Sequence, residues 1–264
     1  MIDGWSLLLV FIAGLITALA TGLGAIPFFF FSDISSRWTV RLWGVASGIM
    51  LVASLFGLIA EGLVAGTWFE VGIGVIIGCL LVVVSSHFLN ESTIHPKQFE
   101  AADFKKLLLI LGVLTVHSFP EGVAIGVSFA ELNLASGVNW LGFTIPTLAV
   151  FMTLAISIHN IPEGVAVSIP LRNLGVDNWK LVGWSIFTSL PQPIGAVIAF
   201  IFVRYAREAL PIGFGFAAGA MIYLVITEFV PDALEEGKDL SRSGVLEFFQ
   251  GIFAGTILMG LFFL

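Results

Sequence analysis

Apolar residues fill most of the chain in long runs, and polar residues fall in short clusters between them. A helix needs about 20 apolar residues to cross the hydrocarbon core of a bilayer. Runs of that kind occur at 5–31, 41–64, 68–89, 107–130, 142–170, 180–203, 211–233 and 245–264. The clusters "FSDISSR", "NESTIHPKQFEAADFKK", "RNLGVDNWK", "RYAREALP" and "DALEEGKDLSRSG" punctuate them. The pattern predicts an all-α integral membrane protein with eight transmembrane helices, forming one polytopic domain over 1–264. The first run has no basic segment ahead of it and exceeds a signal-peptide core, so it is expected to stay as the first helix.

Composition strengthens this picture. Hydrophobic residues make up 58% of the 264 residues and charged ones 11%, with a mean hydropathy of +1.05; soluble domains carry about 25% charged residues. The net charge of -7 says little about partners when several acids lie inside apolar runs, and no basic or aromatic-basic patch suggests nucleic acid. Cys79 is the one cysteine, which excludes a disulfide framework or a Cys-based zinc site within one chain and leaves it a packing role. Trp5, Trp38, Trp68, Trp140, Trp179 and Trp184 fall near span ends, where interfacial anchors belong. The connections after spans one, three, five and seven hold Arg37, Arg41, Lys97, Lys105, Lys106, Arg172, Lys180, Lys238 and Arg242, and the opposite side holds only Arg204 and Arg207. That asymmetry places the odd connections in the cytoplasm and both termini outside, in a plasma or inner membrane.

The pattern also repeats. "GVASGIM" from Gly44 and "GFAAGAM" from Gly215 match at four offsets, 171 residues apart. The same shift carries span one onto six, span three onto eight, and Glu61 onto Asp232. Spans two and seven run in opposite directions, so the arrangement reads as a 3+2+3 inverted repeat with spans four and five at its centre, a transporter signature. Helices rich in Gly and Ala also match one another by chance, which is the competing reading.

Spans four and five hold the chemistry. "HSFPEGVAIG" from His117 and "HNIPEGVAVS" from His159 agree at six of ten positions. On a helix, His117 and Glu121 stack one turn apart, as do His159 and Glu163, with Asn160 beside the latter pair. Pro120 and Pro162 cannot donate to the carbonyls of Val116 and Ile158, so each helix is expected to bend there. Gly122 and Gly164 permit close helix approach. His117 lies about ten residues from the cytoplasmic end of its span, or roughly 15 Å at the helical rise, and Glu163 about seven residues from the same side, so the motifs meet near mid-membrane. A charge there costs at least about 2.5–3.5 kcal/mol, a cost reduced by a shared proton or cation. One buried His–Glu pair could be a helix-packing hydrogen bond, but two copies favour a metal. Imidazole, carboxylate and amide suit Zn, Fe, Mn, Co, Ni or Cd better than Mg, Ca or Cu(I). The set can furnish one full site or two sites bridged by carboxylates.

The paired histidine–proline–glutamate motifs, with "ATGLGAIPFFF" on span one and "PQPIGA" on span six, resemble the ZIP (Zrt/Irt-like) family of metal-ion transporters, especially its GufA-like prokaryotic branch. The resemblance implies movement of divalent cations into the cytoplasm, with His117, Glu121, His159, Asn160 and Glu163 as ligands and a binuclear site in some members. It also implies an elevator-like motion of spans one, four, five and six against two, three, seven and eight, often in a homodimer. Two departures stand out: Ser118 where many relatives have asparagine, and Gln192 where many have glutamate. Both remove ligand strength from the second metal position. The long histidine-rich cytoplasmic loop of many relatives is missing; only His95 lies there, with Glu91, Glu100 and Asp103 nearby, and reads as solvated.

Glu61 near the outer end of span two, and Glu228 with Asp232 near the inner end of span seven, are candidates for the two ends of a cation pathway; the competing reading is carboxylates reaching headgroup water. His87 reads as a helix-end residue. The expected function is secondary transport of a divalent transition metal, zinc foremost and Cd, Fe, Mn or Co as alternatives, with no prosthetic group and one or two ions per chain. Nothing resembles a phosphate-binding loop that would couple transport to ATP. An intramembrane metalloprotease would present H-E-x-x-H, a serine hydrolase G-x-S-x-G, and a di-iron oxidase Glu-x-x-His; none of these is present. A proton-driven exchanger using the carboxylates alone is the other alternative.

Overall fold

The computed structural model describes residues 3–31, 34–91, 118–134, 136–173 and 175–261. Among the described residues, six helical stretches are long and apolar enough to cross a membrane: Gly4–Phe29, Ser36–Ala65, Thr147–Arg172, Asn178–Tyr205, Arg207–Glu236 and Ser241–Gly260, with Trp68–Val84 a shorter apolar helix. They match predicted spans one, two, five, six, seven, eight and three, and the fourth span is described as a helix over 118–128. The chain is an α-helical, multi-pass membrane protein.

In chain order the helices are α1 (Gly4–Leu23), α2 (Ser36–Val52), α3 (Ala60–Ala65), α4 (Trp68–Glu91), α5 (118–128), α6 (Thr147–Asn173), α7 (Asn178–Ser189), α8 (Pro191–Tyr205), α9 (Leu210–Leu224), α10 (Val230–Glu236) and α11 (Val245–Gly260). The Asp3 carboxylate caps α1 by accepting from the Ser6 N–H at 2.7 Å, which holds its carboxyl below the usual range. Apolar composition alone gives helices here, because every backbone polar group in lipid must be satisfied internally.

One departure from the helical expectation lies at the start of span five. Residues 143–146 are not helical. They form β2 (Phe143–Pro146), paired antiparallel with β1 (Gly137–Trp140) through a two-residue turn at Leu141 and Gly142, both at positive φ. Span six is interrupted between α7 and α8 at Leu190, where Pro191 opens the second helix.

The most extensive packing pairs α2 with α11 and α4 with α9. Both seams are built from glycines four residues apart. A Cβ on Gly44 or Gly48 would overlap the Phe248 or Ile252 carbonyl, and one on Gly251 or Gly255 the Arg41 or Val45 carbonyl. Gly215 and Gly219 meet Val71 and Val75 carbonyls in the same way, and Gly74 and Gly78 meet Ile212 and Phe216 carbonyls. Small residues that bring backbones together are the usual means of joining helices in lipid.

The two seams correspond under the internal repeat. The 171-residue shift also brings the π-helical segment Ala53–Ile59, which joins α2 to α3, onto Val225–Phe229, which joins α9 to α10. The match of span three to span eight needs a correction: Gly74 and Gly78 correspond to Gly251 and Gly255, at an offset of 177 rather than 171. A second set of helices forms around α1, which packs on α6, α7 and α8. The candidate site lies inside this set.

Candidate metal site

The Pro-Glu-Gly motifs bring their helices to backbone contact with neighbours. Gly122 on α5 abuts the Gln192 backbone on α8, and Gly164 on α6 abuts the Thr21 carbonyl of α1; a Cβ at either would overlap main-chain atoms. Gly14 and Gly24 extend the same closeness from α1, against Pro193 and Ile161. Helix α6 runs through Pro162 without interruption. The Ile158 carbonyl has lost its normal donor there.

These approaches bury Ser118, Glu121, His159, Asn160, Glu163 and Gln192, all at 0–1% exposure. His159 Nε2 lies 3.1 Å from Glu121 Oε1. The other Glu121 oxygen, Oε2, accepts from Gln192 Nε2 at 2.6 Å. Gln192 Oε1 in turn accepts from Thr17 Oγ1 at 2.6 Å and Asn160 Nδ2 at 3.1 Å. Asn160 Nδ2 also donates to the Thr17 carbonyl at 2.8 Å. One network therefore ties α1, α5, α6 and α8 together.

The network leaves a specific remainder. Among the described residues, both oxygens of Glu163, His159 Nδ1 and Asn160 Oδ1 are buried with no hydrogen-bond partner. Glu121, His159 and Glu163 each offer a ligand atom, and these lie within 4.8 Å of one another. Two carboxylates at that distance repel by on the order of 3 kcal/mol at an effective dielectric of about 20, and Glu163 gains no compensating hydrogen bond from the described residues. A divalent cation would neutralise both acids and occupy the open valences. The donors, two carboxylates and one imidazole with an amide oxygen nearby, fit a zinc-like ion.

Of the residues expected from the sequence, Glu121, His159, Asn160, Glu163 and Gln192 are buried in or beside this cluster, and Ser118 is buried at the start of α5. His117 lies outside the described residues. Among the described residues, the ligand group does not include Glu61, Glu228 or Asp232. Glu61 on α3 lines a cavity of about 420 Å³ with Glu131, Ser128 and Phe214. Glu228 is half-buried in the second π-helical segment, and Asp232 is exposed on α10. His87 is exposed. The Cys79 thiol lies 3.4 Å from the Gly219 carbonyl, inside the α4–α9 seam. All six anchor tryptophans are exposed.

Two features escaped the sequence reading. Thr17 is central to the network, and its only signal was the polar stripe Gly14–Thr17–Thr21 along one face of an apolar helix. The second feature is at the end of α5. Arg204 donates to the Ala130 and Leu132 carbonyls there, and Arg207 pairs with Glu131.

Fold and site define a polytopic helical membrane protein with a buried carboxylate–imidazole cluster. Comparison with known proteins carries this to a family: residues 90–262 match the ZIP zinc transporter family. Relatives include the zinc transporter ZIPB of Bordetella bronchiseptica, 32% identical over 91% of this chain and 75% of its own length. The zinc transporter GufA of Myxococcus xanthus is 30% identical over 86% of this chain and 89% of its own. A putative zinc transporter of Arabidopsis thaliana is 41% identical over 84% of this chain, which spans only 34% of that longer protein. The chain belongs to the ZIP family; it is a transporter and not an enzyme.

Proposed function

We propose that this protein carries Zn²⁺ across a cell membrane into the cytoplasm, through the buried site formed by Glu121, His159 and Glu163. His117, Asn160, Ser118 and Gln192 complete the surroundings of the ion. The observation that carries this reading is Glu163, a carboxylate enclosed by α6 and its neighbours whose two oxygens have no partner among the described residues. The relatives named as zinc transporters support zinc as the substrate, and the ligand set would also accept Cd²⁺, Fe²⁺, Mn²⁺ or Co²⁺.

The helix packing supports an elevator-like exchange of access. One unit is α1 with α5, α6 and α8, tied by the polar network, and α7, joined to α1 and α6 through the hydroxyl pairs Thr21–Ser189 and Ser168–Ser185. The other is α2 with α11 and α4 with α9, joined by glycine seams. Movement of the first against the second would carry the ion past a fixed frame. Glu61 and Glu131, at the cavity on one side, would draw cations in; Glu228 and Asp232 would serve the exit. The distribution of basic residues supports external termini, and a homodimer is part of the proposal.

The test is zinc uptake into vesicles holding purified protein and an internal zinc-sensitive dye. Glu163→Ala should take up no more zinc than empty vesicles, and full uptake by it would remove the site. Retained uptake by a His117→Ala/His159→Ala variant would favour an exchanger that uses the carboxylates alone.

A further inference from the structure

The polarity of the two central amides is fixed by groups that can only accept hydrogen bonds. The Glu121 carboxylate oxygen, 2.6 Å from the end of Gln192, demands the amide nitrogen there. The Thr17 carbonyl, 2.8 Å from the end of Asn160, demands the amide nitrogen of Asn160 in turn. Gln192 Oε1 must then accept, and both the Asn160 amide and the Thr17 hydroxyl reach it. Asn160 Oδ1 is left facing no donor among the described residues. Amide orientation follows from the partners in such a network.

We infer that Gln192 is a positioning residue, held by Thr17 and Asn160, whose amide binds one Glu121 oxygen in the place of a second cation, so that the site takes one divalent ion. This rests on the proposed metal site and specifies its stoichiometry. Glu121 Oε2 is committed to the Gln192 amide, which leaves Oε1, on the His159 side, for the transported ion. A second ion bridging Glu121 and Gln192 would have to break the 2.6 Å bond and displace an amide that two further partners orient. It would gain only a neutral oxygen already occupied by two donors. Asn160, with its nitrogen tied to α1, keeps its oxygen available to the ion that Glu163 holds. Thr17 therefore acts at one remove: its carbonyl sets the direction of the Asn160 amide, and its hydroxyl, shared between the Gln192 oxygen at 2.6 Å and the Gly14 carbonyl at 2.8 Å, steadies the Gln192 amide. Loss of such an outer partner costs roughly 10–100-fold in metal affinity at other sites.

The experiment is equilibrium dialysis of the full chain in lipid nanodiscs against Zn²⁺, with bound metal counted by elemental analysis. Wild type should bind one zinc that Glu163→Ala does not bind. Gln192→Glu replaces the donor with a carboxylate and should bind one more ion than wild type. Thr17→Val should keep the wild-type count and weaken affinity about tenfold, with Thr17→Ser restoring it. Two ions lost from wild type on Glu163→Ala, or no added ion in Gln192→Glu, would overturn the inference while leaving the site intact. Unchanged affinity in Thr17→Val would remove Thr17 from the positioning role, even if Gln192→Glu failed to fold. Equal binding by wild type and Glu163→Ala would remove the metal site itself and the inference with it.

Discussion

The halves of the site on α5 and α6 carry nearly the same motif and have opposite environments. Glu121 on α5 is held on both oxygens, by His159 and Gln192. Glu163 on α6, in the same Pro-Glu-Gly setting, has neither oxygen paired among the described residues. The neighbours brought in by the motif glycines make the difference: Gly122 admits the start of α8 with its glutamine, whereas Gly164 admits a main-chain carbonyl of α1. One carboxylate is thus built into the scaffold and the other is kept open.

The sharpest way to break that comparison is to remove each acid and read both transport and stability. Glu163→Ala should abolish zinc uptake, a loss at least as large as the roughly 10–100-fold that outer-sphere changes cost. It should leave the melting temperature in zinc-free detergent unchanged or higher, because a buried charge without a partner disappears. Glu121→Ala should also abolish uptake, but it strands the Gln192 amide and should destabilise the fold by about 1–3 kcal/mol. A lower melting temperature for Glu163→Ala than for Glu121→Ala would show that the assignment is reversed.

The glycines offer the next test. Gly164→Ala places a methyl group against the Thr21 carbonyl and should reduce uptake about tenfold or more, by an effect of the size that outer-sphere changes have. Gly72→Ala, where a Cβ meets nothing within 4 Å, should transport normally. Equal behaviour of these two in the vesicle assay would mean that α1 does not need its close approach. The smallest effect is expected from His95→Ala, in the polar segment between spans three and four, with uptake near wild type. A large loss there would point to ligands away from the central cluster.

Much of this was legible in the chain. Length and apolarity gave the apolar helices seen among the described residues, because lipid imposes helices on any segment that crosses it. Among the described residues their ends moved by a few residues, and the β1–β2 hairpin at the mouth of span five, which the pattern missed, follows from turn geometry at Leu141 and Gly142 that apolarity does not encode. The 171-residue repeat was visible in four residues, and the structure extended it to paired π-helical segments and glycine seams. The offset of 177 for span three went unnoticed because unequal connections hide it.

The sequence by itself determined that helices form, that two of them carry His-x-x-x-Glu with a proline and glycine, and that acids are committed to an apolar interior, since these depend on local periodicity and on the solvent. Only the tertiary structure decided which glutamate is braced and which has no partner among the described residues, and that Thr17 on α1 meets both amides, its carbonyl accepting from Asn160 and its hydroxyl reaching Gln192. Hydrogen-bond direction depends on groups 32–175 residues apart in the chain, and no local pattern records which of them will meet.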